Sequence, residues 1–222
     1  ASRDRHVFSA LMLAHGHADG LVTGATRKSA HVLGLIGHVF DATAVDGAVG
    51  VTALLHRGRI VLISDTLVHE WPSDEDLALI AQRGADVARA LGLEPRVAFV
   101  SFSTFGYPVS ERAEKMNHAP KILERAGVDF EFEGEMTVDV ALNADVMEQY
   151  PFCRLSGPAN VLVVPARHSA SISVKLMQEM AGATVIGPIL TGLGRPVQIA
   201  GTVSTANDIL NMAVMAACDI GR

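Results

Sequence analysis

Aromatic residues, cysteines and long apolar runs are all scarce in this sequence. Aromatic side chains make up only 5% of the 222 residues, which argues against a surface on which nucleic-acid bases stack. Aspartate and glutamate (24) outnumber lysine and arginine (18), so the formal net charge is −6. An acidic surface argues against broad binding to a phosphate backbone. No run reaches the roughly eighteen apolar residues of a membrane span. A single anionic ligand is still allowed, because it needs only a local basic pocket.

The two cysteines and the chain start indicate a cytoplasmic protein. Cys153 and Cys218 lie in no Cys-x-x-Cys or zinc-like spacing, so we interpret them as reduced, buried thiols. No apolar segment of a signal peptide follows the first residues, and there is no initiator methionine. We therefore expect a piece of a longer cytoplasmic chain. The nine histidines form no His-Glu-x-x-His pattern and have no carboxylate at ligand spacing, so no metal site is expected.

Three segments carry candidate chemistry. Residues 20–29 (GLVTGATRKS) resemble a phosphate-binding loop, but Val22 and Arg27 stand where that motif needs glycine. Either an anion-facing turn or a plain strand-to-helix turn fits this segment. Asp65 and Asp139 follow predicted strands, where acids either face a ligand or lie solvated in a loop.

The hydrophobic pattern predicts an α/β protein with a largely parallel sheet, because strand-like and helical segments alternate. Ser73 with Asp76, and Thr205 with Asp208, have the spacing of helix capping boxes. Pro120 should either kink the helix over residues 110–126 or mark its true start. Residues 184–186 and 189–190 are predicted as separate short strands.

Several segments together resemble the phosphate acetyltransferase family over nearly the whole chain. They are residues 18–25 (ADGLVTGA), 93–98 (LEPRVA), 101–103 (SFS), 133–142 (EGEMTVDVAL), 187–193 (GPILTGL) and 208–211 (DILN). Residues 103–108 (STFGYP), 150–160 (YPFCRLSGPAN) and 211–213 (NMA) are similar to the C-terminal domain of bacterial hybrid NADP-dependent malic enzymes.

The resemblance implies a phosphotransacetylase or isocitrate-dehydrogenase-like fold, with two α/β domains and a ligand cleft between them. The first domain would be a remnant, formed by residues 1–40 and 188–222. The second domain would span residues 41–187.

Departures from the family pattern concern the residues that hold phosphate. Active members carry a Ser-Arg pair at the positions of Gly201 and Thr202, and neither residue here supplies a guanidinium. Their Pro-Asp-Leu-Asn-x-Gly-Asn signature is PARHSAS at residues 165–171. Lys175 and Asp208 match the family, in which the aspartate is proposed to help deprotonate the CoA thiol. We predict ligand contacts at Thr23, Gly24, Arg27, Lys175 and Asp208, and no catalytic residue.

The resemblance therefore implies an impaired phosphate acetyltransferase-like domain that senses acetyl-CoA and supports homo-oligomer assembly in a malic enzyme. This domain would hold no cofactor itself, and acetyl-CoA would be its effector. NADP and a divalent metal would belong to the malic-enzyme half. The alternative is an active enzyme that moves acetyl between CoA and phosphate, which the matching Lys175 and Asp208 favour. Whether the domain is an enzyme is left open by the sequence.

Overall fold

The computed structural model describes residues 3–40, 46–109 and 111–218, without the side chains of residues 111–113. The elements are, in chain order, α1 (Arg5–Ala14), β1 (Leu21–Gly24), α2 (Ser29–Gly37), β2 (Val49–His56), β3 (Arg59–Ser64), α3 (Asp74–Ala90), β4 (Arg96–Val100), α4 (Glu111–Ala126), β5 (Glu131–Met136), α5 (Val138–Leu142), α6 (Ala144–Met147), β6 (Val161–Val163), α7 (Arg167–Ala181), β7 (Thr184–Thr191), β8 (Val197–Ala200) and α8 (Ala206–Ala217). The predicted α/β class with mainly parallel sheets is confirmed.

The chain divides into two compact units. Unit 1 comprises Ala1–Val51 and Ile186–Arg222, and unit 2 comprises Thr52–Val185. The domain limits given above, residues 1–40 with 188–222 and residues 41–187, rest on the family resemblance and stay a prediction.

Unit 1 is built on the parallel pair of β1 and β8, in which Leu21 lies opposite Val197 and Gly24 opposite Ala200. Helices α1, α2 and α8 pack against these strands. Asp4 is the N-cap of helix α1, and its carboxylate accepts the backbone N–H groups of His6 and Val7. The capping box predicted for Thr205 and Asp208 is confirmed at the start of α8.

Unit 2 contains most of a six-stranded sheet with the order β5-β4-β6-β3-β2-β7, and the boundary between the units falls within β2 and β7. Strand β4 pairs in parallel with β5 and β6, and β3 pairs in parallel with β6. All three residues of β6 are buried, as expected of a strand covered on both faces. The capping box of Ser73 and Asp76 is confirmed at the start of α3.

Two predictions about proline need correction. Pro120 lies inside α4, which begins at Glu111, so the prediction that it marks the helix start is wrong. Burial of Met116, Ala119 and Leu123 on this helix offsets the backbone hydrogen bond that a proline removes. The two short strands predicted around Pro188 form one strand, β7. Its place at the end of the sheet order tolerates a residue without an N–H donor.

Among the described residues, no helix is both long enough and apolar enough to cross a membrane.

Candidate functional site

The turn at Thr23 and Gly24 lies at the carboxyl end of β1, beside the carboxyl end of β8. The N–H of Ala25 donates to the carbonyl of Ala200 at 2.9 Å. Gly24 has a φ of +108°, and a Cβ at this position would collide with the same carbonyl oxygen. Only glycine therefore lets these two strand ends approach so closely.

The side chain of His6, on α1, packs against this turn. Its Nδ1 lies 2.7 Å from Thr23 Oγ1, and the residue is only 2% exposed. Within the described ranges, no group forms a hydrogen bond with its Nε2, which is also buried. Burial lowers the pKa of the imidazole, and the nearby Asp4 carboxylate opposes this shift only in part. His6 is therefore neutral near pH 7 and keeps one ring nitrogen unsatisfied.

A pocket of about 260 Å³ adjoins the turn within unit 1. It is lined by Arg5, His6, Ser9, Val22, Thr23, Gly24, Ala25, Ala200 and Ile209. Arg5 is exposed, and its guanidinium donates to Thr26 Oγ1 at 2.9 Å. The volume lies just below the range of about 300–1,000 Å³ for drug-sized ligands. The pocket is therefore suited to one small polar or anionic group.

Arg27 lies near the turn but does not line this pocket. Its Nη1 is 3.4 Å from Asp4 Oδ2 and 3.1 Å from His31 Nε2. The Asp4 carboxylate also accepts the N–H of His6 at 2.9 Å. The guanidinium charge is thus already partly balanced, and the role of Arg27 in holding a CoA phosphate stays a prediction.

Gly201 and Thr202 directly follow β8 and precede α8. Thr202 is exposed, whereas Asp208 is half-buried. The Asp208 carboxylate accepts from the Thr205 N–H at 2.7 Å and from the Thr205 hydroxyl at 2.9 Å. With these bonds Asp208 serves as the N3 carboxylate of the capping box of α8, whose N-cap is Thr205. The role of a base, which the resemblance implies, stays a prediction.

Lys175 is exposed on α7, in unit 2. The five predicted ligand residues therefore separate into three groups. Thr23 and Gly24 share the unit 1 pocket. Arg27 and Asp208 belong to the same unit and have partners of their own. Lys175 belongs to the other unit.

A larger pocket of about 610 Å³ lies within unit 2, at the carboxyl ends of β4 and β6. It is lined by Trp71, Pro72, Leu77, Val100, Ser101, Phe102, Lys115, Met116, Val138, Val164, Pro165, Ala166, His168, Ser169 and Ser173. Five of these residues come from the segment 165–171 or follow it closely, which is the segment that departs from the family signature. The altered signature thus forms one wall of the pocket.

Aromatic rings stand at the surface of this unit 2 pocket. Trp71 is 71% exposed and Phe102 is 62% exposed. The rings of Trp71 and His168 lie 5.0 Å apart between centroids, at 55°. Sequence reasoning missed this pocket. The usable signal was the rule that ligands bind at the carboxyl ends of parallel strands, applied to Ser101 and Pro165.

The two acids predicted at strand ends have different surroundings. Asp65 is 3% exposed, so the solvated-loop alternative is wrong for it. Its carboxylate accepts the N–H of Leu67 at 2.7 Å and lies 2.8 Å from the His69 ring nitrogen. Asp139 is exposed in the first turn of α5, and a hydrogen bond with the Thr137 side chain lowers its pKa. In the part of the chain that is described, no cluster of three or more His, Cys, Asp or Glu residues could hold a metal ion. Cys153 is half-buried and Cys218 is exposed, so the prediction of a buried thiol is wrong for Cys218.

Parallel strands with pockets at their carboxyl ends are typical of α/β folds that bind ligands at this edge of the sheet. More specifically, the chain belongs to the phosphate acetyl/butaryl transferase family, whose model matches residues 1–217.

Two kinds of relative match this chain. It is 53% identical to an NADP-dependent malic enzyme of Rhizobium meliloti (strain 1021) over 218 residues, which are 98% of this chain and 29% of that protein. It is 32% identical to a phosphate acetyltransferase of Bacillus subtilis (strain 168), covering 96% of this chain and 67% of that protein. The chain thus spans under a third of the malic enzyme and about two thirds of the acetyltransferase.

Solved structures agree with this assignment. A phosphotransacetylase from Streptococcus pyogenes has a TM-score of 0.89 at 27% identity, covering 98% of this chain and 68% of that one. The EutD phosphotransacetylase from Staphylococcus aureus has a TM-score of 0.85 at 26% identity, covering 97% and 67%. The predicted family and fold are therefore confirmed.

Proposed function

We propose that this chain is the phosphate acetyltransferase-like region of a hybrid malic enzyme, retained to sense acetyl-CoA and without transferase activity of its own. The observation that carries the proposal is Gly201-Thr202 at the carboxyl end of β8. By the family resemblance, these residues occupy the positions of the Ser-Arg pair that active members use for phosphate. The 53% identity to a malic enzyme over 98% of the chain supports the same assignment.

The exchange of arginine for threonine has a direct chemical cost. A guanidinium binds phosphate through two parallel charged hydrogen bonds, and threonine offers one neutral hydroxyl. Removing one such contact to a developing charge commonly lowers the rate by about 10²–10³-fold. Gly201 also removes the neighbouring hydroxyl. We expect both losses to slow the reaction with phosphate more than they weaken the affinity for acetyl-CoA.

The unit 2 pocket supports acetyl-CoA as the ligand. Its volume of about 610 Å³ lies within the usual range for small-molecule sites. Trp71 and Phe102 offer exposed aromatic faces on which an adenine base could stack. Lys115, which also lines the pocket, offers a positive charge to a phosphate.

Regulation would require a second step beyond binding. Acetyl-CoA changes the rate of malate decarboxylation only if it binds two states of the protein with different affinities. We expect NADP and a divalent metal to act in the malic-enzyme half of the longer protein. A cytoplasmic location and a homo-oligomeric state complete the proposal as predictions.

Isothermal titration of the full-length protein with acetyl-CoA tests the binding step. We expect saturable binding that Lys115→Ala weakens about tenfold, the value of one lost hydrogen bond to a charged group. Lys175→Ala should weaken it as well, if the family match at this position reports a ligand contact. Lys121→Ala, on the same helix as Lys115, is the matched control. An absence of binding at millimolar acetyl-CoA would refute the sensor function.

A transferase assay separates the proposal from its alternative. With acetyl phosphate and CoA as substrates, we expect no phosphate-dependent turnover by the full-length protein. The double variant Gly201→Ser with Thr202→Arg should gain measurable turnover, because it restores the two phosphate-binding groups. Turnover by the unaltered protein would favour the active transferase instead.

A further inference from the structure

The loop of residues 65–73 joins β3 to α3 and carries Trp71 to the unit 2 pocket. Its first part is a tight turn around the buried Asp65. The Asp65 carboxylate accepts the backbone N–H groups of residues 67–69 at 2.7 to 3.1 Å. An aspartate that binds the backbone just after itself fixes the course of a turn. The first part of the loop is therefore held from within.

Arg167, in the first turn of α7, binds the same loop from outside. Its Nη1 donates to the carbonyl of Leu67 at 3.1 Å, and its Nη2 donates to the carboxylate of Glu70 at 3.1 Å. The planar guanidinium thus joins two points of the loop that are three residues apart. An ion pair as exposed as this one adds little to the stability of a fold. Arg167 does not line the unit 2 pocket, so its bonds affect the pocket through the loop.

The next residue of α7, His168, contacts the end of the loop. Its ring lies 5.0 Å from that of Trp71, in a tilted arrangement that aromatic pairs favour. The indole nevertheless remains 71% exposed. Trp71 is therefore restrained by its neighbours and still offers most of its surface to a ligand. Binding to a side chain that is already ordered costs less entropy than binding to one that must first be ordered.

We propose that Arg167 is a positioning residue, which holds the 65–73 loop so that Trp71 forms a stacking surface for the adenine of acetyl-CoA. The proposal rests on the proposed function and adds which end of the ligand the unit 2 pocket binds. Adenine is a flat ring system that stacks on aromatic side chains. The acetylated arm of the ligand has no ring and gains nothing from an indole surface. The nucleotide end therefore lies at Trp71.

Titration of the full-length protein with two ligands tests this placement. The ligands are acetyl-CoA and 3′-phospho-ADP, which is the nucleotide end of CoA. We expect Trp71→Ala to raise the Kd of both about tenfold, as for the loss of one base stacked on one ring. Arg167→Leu should raise both about fivefold, because the indole then spends less time in the position that binds adenine. An unchanged Kd of 3′-phospho-ADP in either variant would overturn the proposal.

The double variant separates positioning from direct contact. If Arg167 acts only through the indole, adding Arg167→Leu to Trp71→Ala should weaken binding no further. Additive weakening would show that Arg167 meets the ligand itself, and the positioning role would be wrong. Arg89→Leu is the matched control, because Arg89 also forms an exposed ion pair in unit 2, at 2.7 Å from Asp129, and does not line the pocket. This control should leave both Kd values unchanged.

Glu70→Ala separates positioning from charge. It breaks the same ion pair as Arg167→Leu, but it makes the surface near the pocket more positive. A loosened loop should raise the Kd of acetyl-CoA about twofold, a smaller effect because Arg167 keeps its bond to Leu67. A simple attraction between charges would instead tighten the binding of this anionic ligand. Tighter binding by Glu70→Ala would contradict the proposal.

Hydrogen exchange without ligand shows which proposal has failed if binding is not as expected. Arg167→Leu should speed the exchange of peptides from the 65–73 loop, because the loop opens more often, and Arg89→Leu should not. If the unaltered protein bound no acetyl-CoA, the proposed function would fail and the stacking role would fail with it, whatever the loop does. If acetyl-CoA bound the unaltered protein and Arg167→Leu equally well, only the positioning role would be refuted.

Discussion

The pockets of unit 1 and unit 2 both lie at the carboxyl ends of parallel strands, but they are closed by different means. In unit 1, backbone meets backbone at Gly24 and Ala200, and the buried His6 packs behind the turn. In unit 2, side chains from several loops surround a volume more than twice as large. The first pocket is limited by rigid backbone, and the second by side chains that can be exchanged. The comparison indicates that unit 1 should be intolerant of small changes that unit 2 accepts.

The largest expected effect is that of Gly24→Ala. The added Cβ meets the Ala200 carbonyl, and the φ of +108° is costly for any L side chain. We expect a loss of about 3 kcal/mol or more in the free energy of unfolding of unit 1. Hydrogen exchange of peptides from unit 1 measures this loss of stability.

Gly16→Ala is the control, because Gly16 also has a positive φ, +74°, but nothing lies within 4 Å of its Cβ position. That control should cost about 1–2 kcal/mol, and equal losses would contradict the steric account.

A cavity created in the wall of the unit 2 pocket should lower the free energy of unfolding by less than Gly24→Ala does. Leu77 is 1% exposed and lines this pocket. We expect Leu77→Ala to lower the free energy of unfolding of unit 2 by about 2–3 kcal/mol, at the lower end for such changes because the neighbouring pocket lets the site relax. Urea titration followed by the fluorescence of the single tryptophan, Trp71, reports on this unit. Val109→Ala, at a residue of the same unit that is 82% exposed, should change stability by only about 0.5 kcal/mol. If Leu77→Ala lowered the free energy of unfolding by no more than this control, the side chains that form the wall of the pocket would not be packed in solution.

The stability of unit 1 should depend on pH through the protonation of His6. Its pKa in the folded protein is lowered from 6.5 by burial, so below about pH 6.5 the unfolded chain binds a proton that the folded chain does not. Stability should therefore fall as pH decreases from about 7 through 6.5, by at most about 1.4 kcal/mol per pH unit for one group. His6→Gln should flatten this slope while retaining a polar partner for Thr23. Hydrogen exchange of unit 1 peptides between about pH 5.5 and 7.5, the range around the ordinary histidine pKa, compares the two proteins, and parallel slopes would refute the assignment.

The smallest effect is expected at Trp71. Its side chain is 71% exposed, and its described ring contact is with His168. Trp71→Ala should shift the free energy of unfolding of unit 2 by only about 0.5 kcal/mol, which thermal unfolding followed by circular dichroism can measure. A loss of about 1.5 kcal/mol or more would indicate that Trp71 is packed in solution.

Local features of the fold could be predicted from the sequence. Both capping boxes, at Ser73 and at Thr205, were found because the cap and its carboxylate are three residues apart. The alternation of apolar strands and amphipathic helices was enough for the α/β class. The extent of β7 could not be predicted in the same way. Pro188 indicates a break in a strand unless the strand is known to lie at the edge of the sheet.

The site residues were harder to predict, because their partners are distant in sequence. His6 was missed, since one histidine on an apolar helix gives no sign that Thr23, 17 positions later, will lie beside its ring. The unit 2 pocket was missed because Trp71, Phe102 and Ser169 come from three separate parts of the chain. Thr23 and Gly24 were found through a motif, and the structure places both on a pocket. Asp208 shows the limit of such reasoning, because one carboxylate fits both a cap and a base.

The close approach at Gly24 has a consequence for surveys of genomes. The backbone of Ala200 leaves no room for a Cβ at position 24, whatever the protein binds. A family member without any group for phosphate chemistry would therefore still need glycine at this position. A glycine at position 24 therefore does not identify a working transferase, whereas under the proposed function the dipeptide at positions 201 and 202 does.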